Sequence, residues 1–149
     1  MYHHILVPTD GSPISLKAAG TAAQLARGFK AKITAVHVIA PFTQRAARQV
    51  RAPTDCAMTA DEYRHLTEKR GNAALKKIAA QAGEAGVAFE AVLLTNDEPW
   101  EGIVEAARDH ACDLIVMASN SRVGIERLFL GSVATEVLTH SMTPVLVCR

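Results

Sequence analysis

The stretch MASNSRVGIERLFLGSVATEV, residues 117–137, places a polar loop between a short apolar run and a Gly-Ser pair. Gly131 and Ser132 stand where a helix is predicted to begin. The unpaired backbone N–H groups and the positive dipole end of a helix start attract phosphate, and the Ser132 hydroxyl adds one more donor. Ala118 and Ser121, in the first half of the loop, occupy positions where phosphate loops usually have glycine. The stretch therefore predicts one half of a phosphate-binding loop, with an ordinary helix start as the alternative.

A second polar segment, PTDGS at residues 8–12, follows the first apolar run of the chain. Ligands of open doubly wound sheets bind beyond the carboxyl ends of the strands, where the direction of winding reverses. If the first and fourth runs are neighbours, Pro8, Thr9 and Asp10 share one crevice with the loop at 118–131. Asp10 then has two interpretations, a carboxylate of the site or a turn residue before a helix cap at Ser12.

Five short runs rich in β-branched and aliphatic residues carry these loops. Most are continuously apolar, which is typical of strands covered on both faces. The runs span residues 4–9, 33–40, 89–95, 113–119 and 144–148. Helix signals separate them, so the sequence predicts a single α/β domain over residues 1–149 with a doubly wound, mainly parallel sheet and right-handed crossovers.

The helix starts are marked by recognisable capping patterns. They are Ser12-Pro13, the capping box Thr59-x-x-Glu62, Asp97 or Glu98 before Pro99, and Gly131. We expect the last helix to run from about Gly131 to His140 and to bury Ala134, Val137 and Leu138. The stretch at 41–60 is the exception to the alternation, and it predicts a variable loop for which a lid and a solvated loop both stay open.

Bulk composition excludes several classes of function. Lys and Arg number 16 against 15 Asp and Glu, so the formal charge of +1 predicts no general attraction to nucleic acid or to an acidic membrane. No apolar run approaches the length of about 20 residues that spans a bilayer. The three cysteines are widely spaced and include no Cys-x-x-Cys pair, so we expect a soluble cytoplasmic chain without disulfides or a zinc site.

Catalytic interpretations find little support. His3 and His4 are adjacent, so on a strand they point to opposite faces, and the other histidines have no metal-ligand spacing. The chain has no Gly-x-Ser-x-Gly elbow, no paired acids of a receiver domain after the first run, and few aromatic residues to hold a flavin. We expect no dedicated catalytic activity, and at most slow ATP hydrolysis.

Four segments together resemble the universal stress protein family over essentially the whole chain. They are HILVPTDGS, AVHVI, CDLIVMAS and SRVGIERLFLGSVATEVLTHSMTPVLVCR. The resemblance implies a Rossmann-like five-stranded parallel sheet in the order 3-2-1-4-5, with helices on both faces and dimerisation through the fifth strand. It also implies one of two branches, since some members bind ATP and others do not.

The ATP-binding branch carries Gly-x-x-Gly-(x)9-Gly-Ser/Thr, which falls here on Ala118, Ser121, Gly131 and Ser132. The spacing is kept, but two of the three glycines are replaced. A Cβ costs about 1 to 2 kcal/mol where the left-handed conformation is required, and a lost charge-assisted hydrogen bond costs about 1.5 to 3 kcal/mol. We therefore expect nucleotide binding that is weakened rather than abolished.

The resemblance also assigns roles to single residues. Asp10 corresponds to the acid near the nucleotide and its Mg²⁺, and Val38 to the residue against the adenine, although Val38 also suits a simple core position. Arg122 either reaches a phosphate or stays solvated. The predicted binding residues for ATP or AMP are Pro8, Thr9, Asp10, Val38, Met117, Ala118, Ser121, Arg122, Gly131, Ser132 and Val133.

The fifth run, at 144–148, is rich in Val and Leu and is followed only by Arg149. An open strand edge of this kind invites pairing with a second copy, so we expect a homodimer built on it. Two hypotheses remain. The chain is a nucleotide-binding stress protein, which Gly131 and Ser132 favour, or a dimeric protein-interaction module that binds no nucleotide, which Ala118 and Ser121 favour.

Overall fold

Five strands and five helices make up the residues that the structure, a computed structural model, describes: 1–50, 57–119 and 130–149. The strands are β1 (His4–Pro8), β2 (Lys32–Ile39), β3 (Phe89–Thr95), β4 (Leu114–Ala118) and β5 (Val145–Cys148). The helices are α1 (Pro13–Phe29), α2 (Gln44–Val50), α3 (Ala60–Ala85), α4 (Pro99–Asp109) and α5 (Ser132–His140). None of the helices in these ranges is long and apolar enough to cross a membrane.

The strands form one parallel sheet in the order β3-β2-β1-β4-β5, which confirms the predicted fold. The chain winds outward from β1 to β3 on one side and from β4 to β5 on the other, so the direction of winding reverses between β1 and β4. By the general rule for such sheets, that gap at the carboxyl edge is the place for a ligand.

The helices α1, α3 and α4 begin directly after the capping residues that the sequence predicts. The Ser12 hydroxyl accepts from the Ser15 amide at 3.3 Å, and Thr59 and Glu62 form a complete capping box. Pro99 stands in the first turn of α4, with Glu98 as the N-cap but without a side-chain hydrogen bond. Local sequence therefore fixes where these helices start, and hence where the loops at the carboxyl edge end.

Two apolar layers cover the sheet. Small residues of α1, above all Ala19, Ala22 and Ala26, pack with Leu75 and Ile78 of α3 on one face. The other face is covered by α4 and α5, whose buried contacts with the sheet come from Ile103, Ala106, Ala107, Ala134 and Val137. The layer with α1 and α3 adjoins the loop that follows β1, because that loop leads directly into α1. The layer with α4 and α5 includes the start of α5.

The stretch at 41–60 contains a helix that the sequence analysis did not predict. Thr43 caps it, because its hydroxyl accepts from the Ala46 amide at 2.9 Å. Ala47 is buried and packs in a small cluster with Phe42 and Tyr63, which orders α2 in spite of its length of only 7 residues. Residues 51–56 lie outside the described ranges, so the interpretation as a lid is not tested there.

The prediction that Leu138 is buried was wrong. Ala134 and Val137 face the sheet, whereas Leu138, about 100° further around the helix, is 44% exposed. Sequence periodicity alone did not show which flank of the apolar stripe meets the sheet.

Asp113 ties the amino-terminal ends of β1 and β4 together. Its two carboxylate oxygens accept from the amides of His3 and His4 at 2.8 and 2.9 Å, and its own amide donates to the His4 carbonyl at 2.9 Å. Partial burial raises the pKa of the Asp113 carboxyl, but the hydrogen bonds from the His4 and His3 amides, together with the nearby His3 side chain, outweigh it and hold the pKa below its usual value.

We therefore expect Asp113→Ala to lower the free energy of unfolding at pH 7 by about 1 kcal/mol, a modest figure because the side chain is partly exposed. A carboxyl whose pKa is lower in the folded state stabilises above its unfolded value of 3.8 and loses that contribution as the pH falls through the folded value. Urea unfolding at pH 7 and pH 3 should show the difference between variant and wild type shrinking at acid pH. Asp109→Ala, at an exposed site, is the control, and a difference independent of pH would contradict the argument.

Two helical glycines let α3 and α4 lie close against β2. A Cβ on Gly71 would come within 2.7 Å of Cδ2 of the His37 ring and 2.6 Å of Cδ1 of Leu93. A Cβ on Gly102 would come within 3.1 Å of Cγ2 of Val38. The two helices thus approach neighbouring residues of one strand from opposite faces of the sheet.

Gly71→Ala is expected to destabilise the protein by about 2 kcal/mol, because the ring and the leucine must move to admit the methyl group. Gly83→Ala is the matched control in the same helix, where a Cβ would meet nothing within 4 Å. There, alanine should stabilise by about 0.5 to 1 kcal/mol through its helix propensity. Thermal unfolding of both variants measures the contrast, and equal changes at the two positions would contradict the close-approach argument.

Candidate functional site

The sheet opens between β1 and β4 at its carboxyl edge. The paired register of these strands covers Ile5 with Leu114 and Leu6 with Ile115, although β1 continues to Pro8 and β4 to Ala118. Each strand stays paired with its outer neighbour to the end, β1 with β2 and β4 with β5. The two halves of the sheet therefore part at the point where the winding reverses, and the loops after β1 and β4 border the gap.

The loop between β1 and α1 is held in one conformation by its own hydrogen bonds. Pro8 and Thr9 are buried, and the Thr9 amide donates to the Val36 carbonyl at 2.9 Å. The Thr9 hydroxyl lies 2.9 Å from the Ser15 hydroxyl and accepts from the Gly11 amide at 3.0 Å. Gly11 has a φ of +80°, a conformation that a residue with a Cβ rarely adopts. This wall of the crevice is preorganised.

Asp10 lies at the rim of this wall with its side chain exposed. Its Oδ1 accepts from the Ser12 amide at 2.9 Å, which is the hydrogen bond of an Asx turn. The turn role that the sequence left as an alternative is therefore present. It does not compete with the Ser12 cap, because the two side chains accept from different amides, and it fixes the carboxylate at the crevice mouth.

The start of α5 forms the opposite wall. Gly131 is its N-cap, buried and extended with φ −63° and ψ 153°, and within the part of the chain that the structure describes no side chain caps the helix. The first helical hydrogen bond runs from the Thr135 amide to the Gly131 carbonyl at 3.0 Å. The amides of Ser132 and Val133 precede it in the first turn, where helical amides have no partner within their helix. Ser132 is exposed, and Val133 is partly buried against the α4 layer.

The end of β4 supplies the floor on this side. Met117 is buried in the layer beneath α4 and α5, and Ala118 is buried and paired with Cys148 of β5. Ala118 has the extended backbone of a strand, so the anticipated cost of a left-handed conformation does not arise at this position. Ser121 and Arg122 lie outside the described residues.

A family model described as the universal stress protein family matches residues 1–149, the whole chain. The chain belongs to the universal stress protein family. The resemblance noted in the sequence is therefore confirmed, together with the fold that it implied.

Relatives of this universal stress protein support the same assignment. Universal stress protein MJ0531 of Methanocaldococcus jannaschii is 36% identical over 151 residues, covering 100% of this chain and 83% of the relative. Universal stress protein YxiE of Bacillus subtilis is 32% identical over 152 residues, with both chains covered completely. A crystal structure of a universal stress protein in complex with cAMP matches with a TM-score of 0.73 and 26% identity, covering 99% of this chain and 97% of that chain.

Val38 of this universal stress protein lies near the carboxyl end of β2. It is half-buried, and it packs with the α4 layer, where Gly102 lets the helix backbone come close. Val38 therefore contributes to the core, and part of its side chain also stays accessible for contact with a ligand. It lies on the same face of the sheet as Met117.

His37 was not among the predicted site residues of this universal stress protein. Its Nδ1 lies 2.8 Å from the Thr9 carbonyl oxygen, so a side chain of β2 holds the backbone of the loop that carries Asp10. A polar residue inside the apolar run ITAVHVIA was the only signal in the sequence, and it did not say which group the ring would bind.

Proposed function

We propose that this universal stress protein binds an adenine nucleotide, ATP or AMP, in the crevice between the β1–α1 loop and the start of α5. The observation that carries the proposal is the start of α5, which no side chain of the described residues caps, beside a sheet that opens between β1 and β4. Amides at a helix start and the positive dipole end favour an anion there. These features support a phosphate position at Gly131 and Ser132, the half of the glycine pattern that the sequence keeps.

The other wall suits the rest of a nucleotide. Val38 offers an apolar surface for a base, and Pro8 and Thr9 give the loop a fixed shape. The exposed carboxylate of Asp10 is a hard oxygen ligand of the kind that Mg²⁺ prefers, so it fits a metal ion carried by the phosphates. Arg122, which the proposal places near a phosphate, lies outside the described residues.

The cAMP complex of the similar universal stress protein supports an adenine nucleotide as the ligand class. The proposal concerns binding. We assign no catalytic residue, since the Asp10 carboxylate has a role in the turn and the sequence offers no second group to activate water.

We further propose that two copies associate through β5. This strand lies at one end of the sheet order, and its residue Leu146 is 40% exposed. The Pro144 carbonyl accepts from an amide of β4 and the Cys148 carbonyl from the amide directly after β4, at 2.8 Å each. By the period of a strand, the backbone groups of Val145 and Val147 therefore point to the open edge. The opposite edge strand, β3, bears an exposed charge that discourages pairing there, whereas β5 has none.

One observation favours the second candidate, a dimeric interaction module that binds no nucleotide. Three apolar side chains are exposed here: Leu138 on α5, Leu146 on β5, and Met142 in the segment between them. Ala118, with its Cβ at the end of β4, leaves less room beside the crevice than glycine would. A single measurement of nucleotide affinity separates the two candidates.

Calorimetric titration of ATP, with and without Mg²⁺, tests the proposed function. Wild type should bind saturably, and Ser132→Ala should raise the Kd about five- to tenfold through loss of a hydroxyl donor to phosphate. Thr139→Ala is the matched control, an exposed hydroxyl in the last turn of the same helix, and should leave the Kd unchanged. An absence of saturable heat in wild type would sink the proposal and favour the interaction module.

A further inference from the structure

We propose that His37 is a positioning residue of the nucleotide crevice, whose ring N–H holds the Thr9 carbonyl and thereby fixes the loop that presents Asp10. The inference rests on the proposed function for its consequence in binding. Its structural part, the control of the β1–α1 loop by a side chain of β2, is testable without a nucleotide.

The hydrogen bond defines the state of the ring. Nδ1 of His37 lies 2.8 Å from the Thr9 carbonyl oxygen. A carbonyl oxygen only accepts, so Nδ1 must carry the hydrogen and the neutral ring is the Nδ1–H tautomer. The Thr9 amide in turn donates to the Val36 carbonyl at 2.9 Å. Both backbone groups of Thr9 are therefore attached to β2, one to the backbone and one to a side chain.

The location of this contact explains why a side chain is needed. The register of β1 with β2 ends at Pro8 and Val36. Thr9 lies one residue beyond it, where the chain leaves the sheet to turn into α1. The His37 ring donates a hydrogen bond to the Thr9 carbonyl at that position. The loop is therefore bonded to β2 for one residue beyond the end of the strand register.

Close packing prevents the ring from leaving. The backbone of α3 at Gly71 lies so near that an added Cβ would come within 2.7 Å of Cδ2 and 3.3 Å of Cγ of the ring. His37 is half-buried in this position. A ring confined between a helix backbone and a carbonyl has little rotamer freedom, so it acts as a fixed donor rather than as a mobile one.

Hydrogen bonds within the β1–α1 loop connect the position of Thr9 to the residues that border the crevice. The Thr9 hydroxyl accepts from the Gly11 amide at 3.0 Å, and Oδ1 of Asp10 accepts from the Ser12 amide at 2.9 Å. A rotation of the Thr9 peptide would move both. The neighbour of His37 on β2, Val38, packs on the opposite face, so successive residues of one strand hold the loop and line the crevice.

The test compares His37→Leu, which removes the donor, with His37→Asn, whose amide N–H can donate near the position of Nδ1. Amide hydrogen exchange by NMR is measured at Gly11, with Leu6 of β1 as an internal reference. We expect His37→Leu to speed exchange at Gly11 about fivefold or more relative to Leu6, and His37→Asn to restore most of the protection. In parallel, the Kd for ATP should rise about fivefold or more in His37→Leu and recover in His37→Asn.

His65→Leu, the same replacement at an exposed position of α3, is the control and should change neither quantity. Unchanged exchange at Gly11 in His37→Leu would overturn the inference, whether or not ATP binds. Failure of Asn to restore the protection would overturn it as well, because it would show that packing and not the N–H is what matters. Absence of ATP binding in wild type would instead count against the proposed function, and the exchange result would still decide the role of His37.

Discussion

Replacing Ala118 and Ser121 together by glycine is expected to tighten ATP binding by about ten- to a hundredfold. Those are the two positions at which the chain departs from the glycine pattern of the ATP-binding branch. Glycine at 121 would allow a positive φ and let phosphate or ribose approach the backbone amides. Ala118 already has an extended backbone in β4, so glycine there adds only room. The Ser121→Gly variant should therefore give more of the gain than Ala118→Gly.

Calorimetric titration of ATP into both single variants and the pair measures these gains. Gly83→Ala, on the surface of α3, serves as a control for altered stability without a change at the crevice. A pair that binds no tighter than wild type would show that the two Cβ atoms do not limit the affinity. A larger gain from Ala118→Gly would contradict the account of the backbone at that position.

Val147→Pro is expected to weaken the proposed dimer by about a hundredfold or more. The substitution removes an N–H that points to the open edge of β5, and in a two-fold symmetric dimer the loss occurs twice. The hydrogen bonds between β4 and β5 should survive, because they use the alternate residues of the strand. Proline is tolerated on an edge strand at such a position, so the monomer is expected to remain folded.

Val147→Ala is the matched control, since it removes most of the same side chain from the core layer but keeps the N–H. Light scattering over a range of protein concentrations should show Val147→Ala as a dimer and Val147→Pro as a monomer at tens of micromolar. Wild type that is monomeric at that concentration, or a proline variant that dimerises as wild type does, would contradict the β5 interface. Circular dichroism of the proline variant verifies the fold.

The sheet order and most helix starts were predictable because each rests on a local pattern or on the family resemblance. Ser12, Thr59 and Pro99 mark helix starts through chemistry that acts within three or four residues. The apolar runs indicate strands covered on both faces, and the order β3-β2-β1-β4-β5 came with the family. Local signals of this type do not depend on which distant residues they meet.

The remainder depended on contacts between residues far apart in sequence. The helix α2 is stabilised by packing on Tyr63, and no sequence pattern within 41–60 predicts this contact. Leu138 is exposed because α5 turns Ala134 and Val137 to the sheet instead. Likewise, the hydrogen bond from His37 to Thr9 joins β2 to the loop after β1, across 28 positions of sequence. At the candidate site the sequence identified the loops, but the structure was needed to show that Asp10 also holds a turn.

The most direct test of the central claim is an NMR titration of the ¹⁵N-labelled wild-type protein with ATP. Saturable shifts are predicted at the amides of Ser132 and Val133 in the first turn of α5 and at Gly11 in the loop beside Asp10, with the outer edge of β3 unchanged. Shifts confined to another surface, or no saturable shifts at these amides, would contradict the assignment of the crevice as a nucleotide site.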